Sequence, residues 1–133
     1  MLGFGKKKPP PIRSLVGEGT VVNGDVRFLE GLRIDGQVNG DVVAEGDGRS
    51  ILVISDNALV QGRVFASHVI INGQVRGPLH CTDLLELQPK ARVVGDVRYE
   101  LLEMHPGAQV EGELKPLKSV EKPALKLAAS NEV

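Results

Sequence analysis

The chain has 133 residues, 41% hydrophobic but only 3% aromatic, and one cysteine; this fits a single domain cored by Val, Ile, Leu and Ala and excludes an intramolecular disulfide or a cysteine zinc cluster. Of the net charge of −1, residues 1–14 carry four cations and no acid and residues 115–133 a surplus of two cations, which leaves −7 on residues 15–114; such an acidic body repels phosphate and argues against a nucleic-acid partner. No apolar run approaches the roughly 18 residues of a membrane span, the start MLGFGKKKPPP lacks the apolar stretch of a secretory signal, and Leu2 excludes N-myristoylation.

The N-terminal arm places Met1, Leu2 and Phe4 beside Lys6, Lys7 and Lys8. Apolar anchors next to a polybasic run suit an anionic membrane leaflet, at roughly 1 kcal/mol per basic residue near the surface. One such arm binds weakly, and many arms on one assembly bind with avidity. The alternative is an ordinary solvated tail. Residues 9–13, PPPIR, cannot cap the body that follows.

From residue 17 onward the chain repeats. The unit apolar-x-Gly-x-apolar occurs as VNGDV (22–26), IDGQV (34–38), VNGDV (38–42), VQGRV (60–64), INGQV (71–75), VRGPL (75–79), VVGDV (93–97) and VEGEL (110–114). A longer frame aligns SDNALVQGRV (55–64), QPKARVVGDV (88–97) and HPGAQVEGEL (105–114) without gaps, and GEGTVVNGDV (17–26) fits it with Thr20 in the Ala place. One glycine per frame, Gly24, Gly40, Gly62, Gly77, Gly95 and Gly112, gives steps of 16, 22, 15, 18 and 17 residues. The long step contains AEGDGRS (44–50), which reads as a loop bulging from one turn.

In an extended chain, positions i, i+2 and i+4 share a face, so each unit turns two apolar residues and its Gly one way and two mostly polar residues the other. Helical spacing is absent from 15–114. Short strands at a period near 18, apolar on one face, predict an all-β fold: a parallel β-solenoid of about six windings with three short sides each. Each winding buries its apolar face only by stacking on the next. Glycine belongs where the narrow interior excludes a side chain or where a corner needs positive φ. A β-sandwich or barrel would not need a common frame in register, and the left-handed hexapeptide helix of many acyltransferases would show an apolar residue every sixth position along whole turns. Handedness cannot be read from the repeat.

The run of V-x-G-x-V units, the paired segments IDGQVNGDV (34–42) and INGQVRGPL (71–79), and the layout of short tail, about 100 residues of repeat and short polar tail resemble the bactofilins, a bacterial cytoskeletal family. The resemblance implies a single-stranded right-handed parallel β-helix flanked by disordered tails. It also implies end-to-end polymerisation without nucleotide, attachment to the inner face of the cytoplasmic membrane through the N-terminal tail, and scaffolding of cell-wall or cell-shape proteins. The expected organisation is a flexible basic and hydrophobic tail (1–14), a β-helix domain (15–114) and a flexible Lys/Pro-rich tail (115–133). The second tail is a partner-docking peptide or a solubilising extension; its ALKLAA (124–129) is compatible with a turn or two of helix.

A solenoid without end caps presents unpaired backbone edges and apolar end windings to a second copy. The expected polymer interface is Leu15, Val16, Val21, Val22 and Val26 at one end and Met104, Val110 and Leu114 at the other, and a head-to-tail contact that does not close gives an open filament. No catalytic constellation is expected and no cofactor or metal is assigned. His68, His80 and His105 fall in different parts of the repeat, and His80 beside Cys81 and Asp83 falls short of the three or four converging ligands a metal needs. Asp25, Asp41 and Asp96 recur at one frame position, with Arg63, Pro78 and Glu113 in the intervening frames, which reads as a solvated outer ladder and not a Ca²⁺ site. GEG and GDG lack the helix and Lys-Ser/Thr of a phosphate loop. The alternative function is a β-helical acyltransferase or metal-dependent hydratase acting as a trimer, with histidines between subunits; a third is a soluble adaptor that binds a protein on one solenoid face.

Overall fold

The computed structural model of the chain describes residues 11–117. Every regular element in that span is a β-strand, every pairing is parallel, and the strands wind six times around one core. Each winding has three sides. The first side stacks β1 (Ser14–Val16), β4 (Gly31–Ile34), β7 (Ile51–Ile54), the later parts of β9 (Val64–Ile71) and β11 (Leu79–Leu87), and β14 (Leu101–Met104). The second stacks β2 (Val21–Asn23), β5 (Gln37–Asn39), β8 (Leu59–Gln61), β10 (Gln74–Arg76), β12 (Arg92–Val94) and β15 (Gln109–Glu111). The third stacks β3 (Val26–Phe28), β6 (Val42–Ala44), the early parts of β9 and β11, β13 (Val97–Tyr99) and β16 (Leu114–Pro116). At about 4.8 Å per strand the rod is on the order of 30 Å long.

Side-chain ladders fill the interior. Val22, Val38, Val60, Val75, Val93 and Val110 are successive register partners on the second side. Leu32, Leu52, Val69, Leu85 and Leu102 form the matching ladder on the first side, and Val26, Val42, Val64, Leu79, Val97 and Leu114 that on the third. Such a thin prism has no room for many rings, which explains the scarcity of aromatics. The nonapeptides IDGQVNGDV and INGQVRGPL belong to windings two and four: Val38 and Val75 are both register partners of Val60. Their corners between first and second sides are tight, and a Cβ on Gly36 or Gly73 would overlap backbone carbonyls of the preceding winding. The other four windings turn there through GEGT, SDNA, QPKA or HPGA, the longer frame seen in the sequence.

The pentapeptide differs in detail from a single extended strand. It bends at its glycine, so that β2 and β3, for example, lie on different sides of the prism while Val22 and Val26 still face inward. The six frame glycines stack into one corner column. Gly24, Gly62, Gly77, Gly95 and Gly112 have φ between +135° and +158°, and a Cβ on any of the last five of the six would run into the carbonyl of the glycine one winding below. The neighbouring aspartates do more than face water. Asp25 accepts the Asp41 N–H (2.9 Å), Asp41 the Arg63 N–H (2.9 Å) and Asp96 the Glu113 N–H (3.2 Å), so each carboxylate ties its corner to the next winding.

The loop expected at 44–50 lies between β6 and β7, and its return is pinned where Ser50 N–H donates to Ser67 Oγ (2.7 Å) and Ser67 N–H to Ser50 Oγ (2.9 Å). In the next two windings the same corner is absorbed into continuous strands, β9 and β11, with a register irregularity between Cys81 and Leu84. Cys81 is fully buried there, and desolvation pushes its thiol up to about 11. At pH 8 that leaves about a hundredfold less thiolate than a thiol titrating at 9.0. A disulfide reagent is therefore expected to label Cys81 at least about a hundredfold more slowly in native buffer than in denaturant. The sign for stability follows: the unfolded chain releases this proton first, so stability is intact below pH 9 and declines as pH rises from about 9 to 11. Fast labelling of the native chain would contradict this burial.

Candidate functional site

The two ends of the prism are where the expected interface lies. Among the described residues β1, β2 and β3 each pair on one edge only, as do β14, β15 and β16. The edge strands therefore carry unpaired N–H and C=O groups, which are templates for another chain. The interior ladders open at the same places. Val38, Val60, Val75 and Val93 are fully buried, while Val22 and Val110, the ends of that ladder, are only partly covered.

Of the residues expected at the interface, Val16, Val22 and Val26 point inward and lie half-buried at the first winding. Met104, Val110 and Leu114 occupy the inward positions of the last, with Met104 still 44% and Leu114 39% exposed. Leu15 and Val21 are different: they pair with Arg33 and Gln37 and lie on the outer faces of the first winding, 62% and 54% exposed. The arm residues Met1, Leu2, Phe4, Lys6, Lys7 and Lys8 lie outside the described residues, as does 124–129.

The outer faces differ from one another. The second side carries an amide ladder in which Asn39 Nδ2 donates to Asn23 Oδ1 (2.8 Å) and Gln37 Nε2 and Gln61 Nε2 donate to Asn39 Oδ1 (2.8 and 3.0 Å). In the tight corner of winding two, the Ser55 hydroxyl and then Arg33 hold the Asp35 carboxyl below its ordinary range. The third side has the Phe65 and His80 rings in a tilted contact, 5.2 Å between centroids and 57° between planes.

The three histidines are not brought together. His68 lies on the first side, His80 on the third, and His105 in the corner after β14. The sequence neighbours His80, Cys81 and Asp83 do not converge either, since Cys81 is buried in the core and His80 faces out against Phe65. Glu86, Glu103 and His105 do converge, with ligand atoms all within 4.8 Å of one another. Glu86 and Glu103 are register partners, 17 residues and one winding apart. Period arithmetic alone would have paired them. No helix among the described residues is long and apolar enough to cross a membrane.

A regular prism whose end strands, among the described residues, pair on one edge only defines a class of protein, the stackable β-solenoid. The chain belongs to the bactofilin family: the model described as "Bactofilin: Polymer-forming cytoskeletal" matches residues 14–115. It is 27% identical over 101 residues to Bactofilin BacO of Myxococcus xanthus (strain DK1622), covering 76% of this chain and 77% of the relative. Bactofilin BacP of the same strain is 26% identical over 101 residues, which cover 76% of this chain and 40% of BacP. No solved structure matches the chain.

Proposed function

We propose that this bactofilin polymerises end to end, without nucleotide, by stacking the first winding of one copy or the last winding of another onto a neighbouring end. The resulting filaments lie on the inner face of the cytoplasmic membrane, held by the arm at 1–8, and act there as a non-enzymatic scaffold for cell-wall or cell-shape proteins. The observation that carries this reading is the pair of end windings, each, among the described residues, with strands paired on one edge only and with ladder residues such as Val22 and Val110 only partly buried. A second copy would continue the hydrogen-bond ladder and the apolar column in one step. The arm supplies three lysines beside the apolar Met1, Leu2 and Phe4, and a filament multiplies that weak attraction.

Negative-stain electron microscopy of the purified full-length chain, with no nucleotide or metal added, tests the first part. Thin filaments about one prism wide are expected at micromolar concentration. Discrete monomers or closed trimers would overturn it, and trimers would revive the acyltransferase or hydratase alternative. Deleting residues 2–8 is expected to leave the filaments intact and to reduce co-sedimentation with anionic liposomes at least tenfold. Unchanged co-sedimentation would remove the arm from the membrane contact.

A further inference from the structure

We propose that Glu86, Glu103 and His105 form a binding site for a divalent transition metal, with Zn²⁺ as the fitting ion, that staples the fifth winding to the sixth. Glu86 and Glu103 face outward from in-register neighbours β11 and β14. Like charges stacked one strand apart repel. The register partner on the other side of Glu86 is Ile70, which offers no charge to offset them.

His105 completes the cluster from the corner. Its Nε2 is 3.3 Å from Glu103 Oε2 and 3.8 Å from Glu86 Oε2. These are approaches without a formed hydrogen bond: Nε2 is shielded from solvent and has no hydrogen-bond partner. Three side chains that each offer a metal-ligand atom thus converge on one point, an arrangement a cation satisfies. In a tetrahedral zinc site with bonds near 2 Å, ligand atoms lie roughly 3.3–3.5 Å apart, so the cluster needs only small side-chain shifts to close on an ion.

The backbone holds these ligands in place. The His105 N–H donates to Leu87 O (2.9 Å), and its carbonyl accepts the Ala108 N–H (3.2 Å), which fixes the HPGA corner. Gln88, which occupies the equivalent corner one winding below, donates from Nε2 to Glu86 Oε2 (3.3 Å) and orients that carboxylate. One imidazole and two carboxylates suit zinc, leave a fourth position for water, and are a poor set for magnesium, which prefers oxygen and retains its own waters. A bound ion would cross-link the last two windings and so rigidify the end that carries Met104 and Val110. That consequence rests on the proposed polymer interface; the site itself does not.

Tag-free full-length protein, stripped with chelator and dialysed against ZnCl₂ alone, tests the site. About one Zn²⁺ per chain is expected to be retained at micromolar free metal, and ZnCl₂ is expected to raise the melting temperature by several degrees. MgCl₂ at the same concentration should do neither. His105→Ala and the double variant Glu86→Gln/Glu103→Gln should each weaken zinc binding at least about tenfold and abolish the thermal shift, while His80→Ala should change neither. All of these side chains face outward, and circular dichroism checks that each variant folds. Failure to retain zinc, equal retention by His105→Ala, or an equal shift with magnesium would each overturn the assignment.

Discussion

Gly77→Val is expected to cost more than about 4 kcal/mol and to leave the chain largely unfolded at 25 °C. Gly77 turns the corner between the second and third sides of winding four with φ +151°. A side chain there is strained by the backbone conformation alone, at roughly 1–3 kcal/mol. The larger cost is steric. A Cβ at Gly77 would overlap the carbonyl of Gly62 directly beneath it. No rotamer relieves an overlap at Cβ itself, so the two windings must separate. Separation breaks the flanking ladder bonds, Gly62 N–H to Arg76 O and Val64 N–H to Pro78 O, both 3.0 Å. Gly48→Ala is the matched control. Gly48 sits in the loop before β7, meets nothing within 4 Å of an added Cβ and needs no positive φ, so its replacement should stay within about 0.5 kcal/mol of the parent. Urea melts followed by far-ultraviolet circular dichroism measure both. A Gly77→Val chain within 1 kcal/mol of the parent would show that the corner column tolerates side chains and that the register is wrong.

The second large effect separates folding from assembly along one ladder. Val60 and Val110 occupy the same inward column on the second side, in windings three and six. Val60 is fully buried between Val38 and Val75. An aspartate there would be an unpaired charge in an apolar interior, and Val60→Asp is expected to abolish folding. Among the described residues Val110 has a register partner only below, Val93, and it is partly buried. Val110→Asp can keep its carboxylate in water while the chain is free, so a loss of at most about 1.5 kcal/mol is expected in the monomer. Stacking a second copy on that winding would then bury the charge. A penalty of about 3 kcal/mol raises the concentration needed for assembly roughly a hundredfold. Sedimentation with and without Val110→Asp reads this directly. A folded variant that polymerises as readily as the parent would remove the sixth winding from the interface. Val22→Asp asks the same question at the other end.

Much of the architecture is legible in the sequence because a solenoid repeats one local problem. Each winding must supply inward residues on three sides and turn at three corners, so the same letters return at the same period. The six frame glycines mark six windings, and the loop at 44–50 marks the one long step. The corner within V-x-G-x-V is not legible, because both valines face inward whether the segment runs straight or bends at its glycine. Which apolar residues of the first winding belong to the core is equally hidden. Leu15 and Val16 are chemically alike, and only the pairing of Leu15 with Arg33 and of Val16 with Ile34 assigns one outward and one inward. The Asp25, Asp41 and Asp96 column is visible as a pattern, but its carboxylates are acceptors for the next winding's N–H groups only once the windings are stacked.

By itself, then, the sequence determined the fold type, the number of windings and the composition of the core, because these follow from local periodicity and from the apolar area each repeat must bury. Tertiary structure alone decided where the strands break, that β9 and β11 run unbroken around a corner, and that His105 reaches back to the Glu86–Glu103 pair. The reason is register. Residues one winding apart touch only if every intervening corner has its particular length, and the windings here differ in length from 15 to 22 residues, so contacts across them are set by the whole stack and not by any one repeat.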